Sequence, residues 1–281
     1  MANPHFANLG DVWKHLWLTG ALGQVRPVQY VETHAGSALY RLVDDVERAI
    51  GVRTFLAACQ TSGPLRRSAY RRQLAALADR DEQSYPGSPL LAMMMLGQTC
   101  RYVFCDTDRA SVDDLLAARE RLGLQDQVRV VHGDGLAETL ALLETRQIGQ
   151  ASLVHVDPFD FDAQDRGVSA LNLVKRLVAA AVPVIAWYHL ATLAASLQLF
   201  DDVRTAVPEA LTWCAELQVL GPRANLAGVG SGCGILLAGA ALAPPPALTA
   251  AADAYVAAFN DLSAGGDLGM SVASRFATSA W

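Results

Sequence analysis

The sequence predicts an α/β fold built on a mostly parallel, Rossmann-like sheet, and three observations lead to that prediction. Short apolar segments rich in Val, Ile, Tyr and Phe recur along the 281 residues. Segments with helical spacing of apolar residues separate them, an alternation typical of parallel βαβ units. Hydrophobic residues make up 52% of the chain, which is enough for a well-buried core. We therefore expect a single domain over residues 1–281.

Five segments have the length and composition of buried strands: Val28–Thr33, Arg101–Asp106, Gln127–Asp134, Ala151–Asp157 and Pro183–His189. Helical patterns lie between them, at Arg109–Leu122, Leu136–Arg146 and Ser169–Ala181. Two late apolar segments, Ala215–Leu220 and Gly234–Ala238, are predicted to pair as a closing hairpin. The five strands and the hairpin pair together predict a mostly parallel seven-stranded sheet.

One region departs from this alternation. The pattern from about Leu42 to Asp81 is helical and too long for a simple crossover between strands. We predict a helical insertion after the first strand, a lid or small subdomain over residues 42–84. Within it Arg66, Arg67, Arg71 and Arg72 fall within about two helical turns. A solvated helix face is the simplest interpretation of this cluster, and a nucleic-acid patch is the alternative.

Charge and composition narrow the function classes. Lys and Arg number 22 against 28 Asp and Glu, and a net charge of −6 disfavours nucleic acid as a partner, since phosphate neutralisation supplies much of that affinity. No apolar run is long enough to span a bilayer, and the N-terminus lacks the pattern of a signal peptide. Five scattered cysteines without a CxxC pair suit reduced thiols in a core. We expect a cytoplasmic protein without a metal site.

In a doubly wound sheet, ligands bind outside the carboxyl ends of the strands, and here four of those ends carry acidic or small residues. The first strand ends in Glu32-Thr33-His34-Ala35-Gly36, where small residues allow a close backbone approach. Asp106 ends the second strand, the place where ribose hydroxyls are held. Asp134 ends the third and can accept from the exocyclic amine of a purine. Asp157 ends the fourth.

Each acidic end taken singly is explained as a helix N-cap. Four of them in register along the sheet favour a cofactor that contains adenosine. NAD is the competing ligand, but the first loop lacks both the dinucleotide spacing of glycines and a pyrophosphate cradle.

Four motifs then resemble one known family. His5 to His15 resembles H-x-x-N-x-x-D-V-x-K-H, and Tyr30 to Gly36 resembles Y-x-D-T-H-A-G. Tyr85 to Pro89 matches Y-P-G-S-P, and Gly230 to Gly232 resembles a late S-G element. In order and spacing these are similar to the bacterial large-subunit rRNA adenine-N6 methyltransferases of the J type, over nearly the whole chain.

The resemblance implies a class I methyltransferase Rossmann-like fold, an enzyme and S-adenosyl-L-methionine as its cofactor. It also implies positions for the cofactor-binding residues: Lys14, His15, His34, Gly36, Ser88, Asp106, Asp134 and Asp157. Asp106 takes the ribose position, Asp134 the adenine position, and Asp157 the position of the catalytic Asp.

The fourth strand departs from the family pattern. Asp-Pro-Pro-Tyr is replaced by Asp157-Pro158-Phe159-Asp160, so a carboxylate stands where the family stacks an aromatic ring on a flipped base. We therefore predict a catalytic set of Asp157, Asp160, His189 and Tyr188 that aligns and deprotonates the methyl acceptor. Phe159, Phe161 and Trp187 are predicted to bind the acceptor ring.

This set favours a small aromatic or heteroaromatic acceptor, such as an indole of natural-product metabolism, over RNA. Two alternatives stay open. One is an rRNA adenine-N6 methyltransferase with a changed motif. The other is a non-catalytic binding protein on the same fold, although its prediction of damaged cofactor motifs conflicts with the intact segments around Lys14, Gly36 and Ser88. The oligomeric state is not determined by the sequence.

Overall fold

An eight-stranded sheet forms the centre of the computed structural model. The structure describes residues 5–158, 161, 164–165, 168–190, 201–203, 205, 210–265 and 269–278. The strands of this sheet are β1 (Gln29–Glu32), β4 (Arg101–Asp106), β5 (Val128–His132), β6 (Ser152–Val156), β9 (Val184–His189), β10 (Thr212–Leu220), β11 (Gly232–Ala238) and β12 (Ser271–Thr278). Two short hairpins lie outside it, β2 (Leu39–Arg41) with β3 (Ser84–Pro86), and β7 (Gln164–Asp165) with β8 (Val168–Ser169).

The strand order is β12-β10-β11-β9-β6-β1-β4-β5. Strands β5, β4, β1, β6 and β9 are parallel neighbours, whereas β11 runs antiparallel between β9 and β10. The first strand therefore lies near the middle of the sheet, and the carboxyl ends of β1, β4 and β6 lie side by side.

The parallel strands and the closing hairpin confirm the α/β prediction, but the predicted count of seven strands is wrong. Strand β12 pairs antiparallel with β10 from Ser271 to Thr278 and forms the sheet edge. Its segment alternates only weakly between buried and exposed residues, as expected for an edge strand, so it gives little hydrophobic signal.

The helices are α1 (Leu9–Val25), α2 (Val46–Arg48), α3 (Thr54–Thr61), α4 (Gly63–Arg66), α5 (Ala69–Ala78), α6 (Ser88–Leu96), α7 (Arg109–Leu122), α8 (Gly135–Glu144), α9 (Ala170–Ala179) and α10 (Pro246–Gly265). A π-helical turn, Ala49–Arg53, joins α2 to α3, and 3₁₀ turns lie at Gly97–Thr99, Ala224–Ala227 and Ala240–Leu242.

Alternate side chains of the sheet enter two separate cores. Tyr30, Tyr102 and Phe104 lie in the larger core with α1, α5, α6 and α10. Val31 and Val103 point to the opposite face and pack with α8 and α9. The sheet is therefore buried on both faces, which explains its continuous apolar strands.

Helices α2 to α5 occupy much of the region predicted as an insertion, between β2 and β3. Helix α5 turns its buried residues, Tyr70 and Leu74, toward α1. Whether residues 42–84 act as a lid stays a prediction. None of the helices in the described ranges combines the length and apolar character that a bilayer crossing requires.

Candidate active site

A cavity of about 480 Å³ opens at the carboxyl ends of the central strands. Residues from the loops after β1, β4, β6 and β9 meet there with α1 and the start of α6. Nine predicted site residues line it: Lys14, His15, His34, Gly36, Ser88, Asp106, Asp157, Trp187 and His189. The cavity therefore coincides with the ligand position expected for an open α/β sheet.

Lys14 is held at this cavity between two carboxylates. Its Nζ lies 2.8 Å from Asp157 Oδ2 and 2.9 Å from Asp11 Oδ1. Asp11 is itself fixed by the start of α1, because Asn8 caps the helix by accepting from the Asp11 amide, and the Asp11 carboxylate accepts from the Ala7 amide. Helix α1 thus places the Lys14 ammonium group at the carboxyl end of β6.

Lys14 and its carboxylate neighbours stabilise the charge of one another. Burial alone would lower the pKa of Lys14, but the carboxylates of Asp11 and Asp157 outweigh burial and raise that pKa well above its ordinary value. Burial opposes ionisation of Asp157 as well, yet the nearby Lys14 charge brings the pKa of Asp157 below its usual value. Asp157 is therefore a carboxylate, an acceptor of hydrogen bonds, at neutral pH.

His15, the next residue on α1, is a neutral imidazole. Burial and the Lys14 charge lower its pKa to about 3. Its Nδ1 lies 2.9 Å from the Tyr85 hydroxyl, which lies 2.9 Å from the Tyr70 hydroxyl. His15 Nε2 is buried without a partner among the described residues. Hydrogen bonds thus connect His15 in the cavity wall, through Tyr85, to Tyr70 on α5.

A second buried polar cluster lies under the cavity. Glu32 and His155 are fully buried partners on adjacent strands, with His155 Nδ1 3.0 Å from Glu32 Oε1. Ser88 at the start of α6 donates to Glu32 Oε1, and the Tyr30 hydroxyl donates to Glu32 Oε2 at 3.2 Å. These bonds tie the first turn of α6 to the ends of β1 and β6.

Contacts to backbone atoms join the loops that follow β1, β4 and β5. The Asp106 carboxylate accepts from the amides of Gly36, at 2.7 Å, and Asp108, at 2.7 Å. Gly36 has φ of +63°, a conformation that favours glycine. A Cβ on Gly135 would lie 1.9 Å from the Thr33 carbonyl oxygen, so the loops after β1 and β5 are in backbone contact.

Asp134 lies beyond the residues that line the cavity, but one of its atoms suits a ligand. Its Oδ1 accepts from the Leu136 and Ala137 amides at the start of α8. Its Oδ2 is buried and has no partner in the described part of the chain. A buried carboxylate oxygen is costly without a donor. The exocyclic amine of an adenine would supply that donor, so this residue set fits an adenosine-containing cofactor.

Aromatic side chains form the remaining wall. Trp187 and His189, on alternate positions of β9, both line the cavity, with ring centroids 4.3 Å apart. On the opposite side Phe6 stacks on Tyr40 at 4.6 Å. Lys14 Nζ lies 6.0 Å from the Trp187 ring centroid, so Trp187 stands beside the Lys14–Asp157 pair.

Several predicted residues are not brought to the cavity. Tyr188 points to the other face of the sheet, is 2% exposed, and donates to Glu216 Oε1 at 2.9 Å. This corrects the prediction that Tyr188 is catalytic, because neighbouring residues of a strand face opposite ways. Phe161 packs against Tyr188 in the second core rather than in the cavity. Phe159 and Asp160 lie outside the described residues.

The structure also adds residues that had no predicted role, among them Phe6, Asp11, Tyr40, Tyr85 and Pro158. Asp11 and Tyr85 stand within the segments that carried the family resemblance, so they were open to recognition there. The Glu32–His155 pair had no signal in a single sequence, since it depends on which strands are neighbours.

Three proteins of solved structure superpose on this chain with differing quality. A protein of Legionella pneumophila superposes with a TM-score of 0.72 at 22% identity, over 98% of this chain and 99% of that chain. An O-methyltransferase of Bacillus cereus in complex with SAH gives 0.45 at 11% identity over 84% of each chain. A methyltransferase of Geobacter sulfurreducens gives 0.37 at 13% identity over 79% and 76%. The first likeness shows a shared fold, and the other two are too weak to carry an argument.

No match was found among curated protein sequences. Residues 25–259 match the family described as "Ribosomal RNA large subunit methyltransferase D, RlmJ". The match spans the region from before β1 to within α10, and so includes the sheet strands whose ends form the cavity.

Proposed function

The chain belongs to the family of ribosomal RNA large subunit methyltransferase D, RlmJ, and on that premise we propose that it methylates an adenine N6 of large-subunit ribosomal RNA. Membership confirms the resemblance drawn from the sequence motifs and makes the chain an S-adenosylmethionine-dependent methyltransferase. The small aromatic acceptor predicted from Asp157–Phe161 finds no support in the comparisons, and the alternative of an RNA acceptor is the better supported one.

The observation that carries the proposal is the Lys14–Asp157 ion pair at the cavity, in a chain of this family. S-adenosylmethionine supplies a methyl group on a sulfonium, and the nitrogen–carbon bond forms as the carbon–sulfur bond breaks. Asp157 acts on the acceptor. As a carboxylate it accepts a hydrogen bond from the exocyclic amine, which orients the nitrogen lone pair toward the methyl group and favours loss of the amine proton.

Lys14 is a positioning residue in this scheme. It holds the Asp157 carboxylate at 2.8 Å and keeps it ionised, while Asp11 keeps Lys14 in place. The loops after β1, β4 and β5 would hold the cofactor, with Asp106 available to the ribose hydroxyls and Asp134 Oδ2, which has no partner among the described residues, available to the adenine amine. Ser88 and His34 also line the cavity.

Stacking of the target base is assigned to Trp187. The family's stacking aromatic is replaced by Asp160, but Trp187 lines the cavity next to Lys14 and is half-buried. A base extruded from RNA needs a flat apolar surface and a polar group at its Watson–Crick edge, and Trp187 with Asp157 supplies both.

The test is transfer of labelled methyl groups from S-adenosylmethionine to three acceptors: unmodified large-subunit rRNA, small-subunit rRNA, and a panel of indoles. We expect label in large-subunit rRNA, recovered as N6-methyladenosine after digestion to nucleosides. Asp157→Asn should lower the rate at least about 10²-fold while leaving cofactor affinity within a few-fold. Label in the indoles with none in rRNA would contradict the proposal.

A further inference from the structure

Four arginines on the outer side of α4 and α5, Arg66, Arg67, Arg71 and Arg72, are called the arginine surface here. Arg66, Arg67 and Arg72 are exposed, and Arg71 is half-buried. They stand within seven residues of a chain whose net charge is −6. This is a local concentration of positive charge on an otherwise acidic protein.

No carboxylate within the described ranges forms an ion pair with any of the four. Arginines elsewhere in the described chain do have such partners, including Arg129 with Glu138 and Arg176 with Glu144. The Arg72 guanidinium donates to the backbone carbonyl oxygen of Arg67, which holds the Arg72 side chain against the end of α4. Because their charge is not neutralised internally, these arginines are available to an external anion.

The arginine surface stands on the helix that backs the cavity. Tyr70 is fully buried, and its hydroxyl reaches His15 in the cavity wall through Tyr85, by two hydrogen bonds of 2.9 Å. Arg71 and Arg72 follow Tyr70 directly and emerge on the other side of α5. The surface is thus separated from the cavity by the diameter of α5, ~10 Å, together with the Tyr70 side chain and its hydrogen bond to Tyr85, a distance that a folded RNA element can span.

A recess of about 260 Å³ adjoins the arginine surface. Arg67 and Arg72 line it together with Pro64, Pro245 and Leu248, from α4 and the start of α10. Guanidinium groups at the edge of a recess suit a phosphodiester chain, since the guanidinium binds phosphate oxygens bidentately.

We infer that the arginine surface binds the phosphodiester backbone of structured rRNA beside the target adenine. The inference rests on the proposed function and deepens it, by naming where an acidic enzyme obtains affinity for a polyanion. Each guanidinium neutralises about one phosphate, so the surface accounts for up to four contacts. These contacts add affinity and register, whereas Asp157 and Trp187 act on the base itself.

The test uses two double variants, Arg66→Ala/Arg67→Ala and Arg71→Ala/Arg72→Ala, and a matched control, Arg129→Ala/Arg176→Ala. All three remove two positive charges, but the control arginines are paired with carboxylates. Alanine is a good helix former, so α4 and α5 should persist. Binding of a large-subunit rRNA fragment is measured by filter retention across salt, alongside kcat, KM for RNA and calorimetry with S-adenosylmethionine.

We expect each double variant of the arginine surface to weaken RNA binding several-fold to about tenfold, and to reduce the slope of log K against log salt by about 1–2. The kcat and the cofactor affinity should stay at wild-type values, and the control should bind RNA as the wild type does. Replacing all four arginines by lysine should restore most of the salt slope, because the charge is kept.

Two outcomes would overturn the inference in distinguishable ways. If both double variants bind RNA and methylate it like the control while the wild type methylates rRNA, the arginine surface has no such role and the proposed function stands. If the wild type neither binds nor methylates rRNA, the proposed function fails, and the inference that rests on it fails too.

Discussion

Among single residues, Lys14 links the start of α1 to Asp157, the residue proposed to act on the methyl acceptor. Its two carboxylate neighbours lie on different elements, Asp11 on α1 and Asp157 after β6. The three side chains are nearly buried, so their mutual attraction is weakly screened by solvent. Removing one charge therefore changes the ionisation of the others.

Lys14→Met should move the acid limb of the rate profile to higher pH. In the wild type the cation lowers the pKa of Asp157, so Asp157 stays ionised below the usual range of a carboxyl group. Without it, burial dominates and that pKa rises. A profile of kcat against pH checks this. Lys175→Met on α9 is the control, and a Lys14→Met profile that overlays the wild type would contradict the assignment.

His15 should make stability dependent on pH. Its pKa is about 3 in the folded protein and about 6.5 when unfolded, so below pH 6.5 the unfolded chain binds a proton that the folded chain does not. The free energy of unfolding should fall by ~2 kcal/mol between pH 6.5 and 5 on this account. Urea unfolding of the wild type and His15→Gln measures it.

The Gln variant keeps a hydrogen-bonding group for Tyr85 and should lose less stability on acidification. His34, whose pKa burial also lowers, adds a change of the same sign in both proteins. Equal pH dependence of the wild type and His15→Gln would show that His15 does not titrate this way.

Among the elements, the loop after β1 and the start of α8 are in direct backbone contact. The loop after β5 comes so close to the loop after β1 that Gly135 has no room for a Cβ beside the Thr33 carbonyl. By contrast, a Cβ on Gly133 would meet nothing closer than a Val131 methyl at 3.9 Å. Two glycines in one loop therefore have different roles.

Gly135→Ala should destabilise the protein by about 2 kcal/mol or more, because the two loops must move apart. It should also weaken cofactor binding, since Thr33 precedes His34 and Gly36 in the cavity wall. Gly133→Ala is the control and should be nearly neutral. Thermal unfolding and calorimetry with S-adenosylmethionine test both statements, and equal behaviour of the two variants would refute the steric argument.

An ion pair adds to the backbone pairing that joins strand β12 to β10. Arg275 donates from Nε to Glu216 Oε2 at 2.7 Å, and Glu216 is fully buried on β10, where it also accepts from Tyr188. Glu216 thus provides a buried acceptor for the Tyr188 hydroxyl on the face of the sheet away from the cavity.

Arg275→Met should cost roughly 3 kcal/mol of stability, since it leaves the Glu216 carboxylate buried without its cation. Arg176→Met, which breaks an exposed pair with Glu144, should cost less than about 1 kcal/mol. Chemical denaturation measures both. Methyl transfer per folded molecule should be unchanged in Arg275→Met, and a large loss of kcat there would indicate that β12 contributes to the site.

For the whole molecule, the sequence predicted best where one element repeats a strong local pattern. The segments Arg101–Asp106 and Arg109–Leu122 coincide with β4 and α7, because apolar spacing alone defines them. Strand β12 was not predicted, because an edge strand has few apolar residues that would mark it in the sequence. The family and cofactor followed from motifs, which local patterning does not supply.

The residues of the candidate site were likewise predicted only in part. Residues at strand ends, such as Asp106 and Asp157, were found because a parallel sheet brings those ends together. Tyr188 was misplaced because three consecutive residues, Trp187 to His189, were treated as one group, although alternate residues of a strand face opposite sides. Glu32 with His155 and Tyr70 with Tyr85 required three-dimensional pairing.

Helix α1 comes first in the chain but is completed by partners made much later. Lys14 pairs with Asp157, 143 residues onward, and Trp13 donates to the Ala215 carbonyl oxygen, 202 residues onward. In a chain emerging from the ribosome, Trp13 and Lys14 therefore lack these partners until most of the sheet has been synthesised. The Lys14–Asp157 pair, on which the proposed chemistry depends, therefore cannot form before β6 has been synthesised.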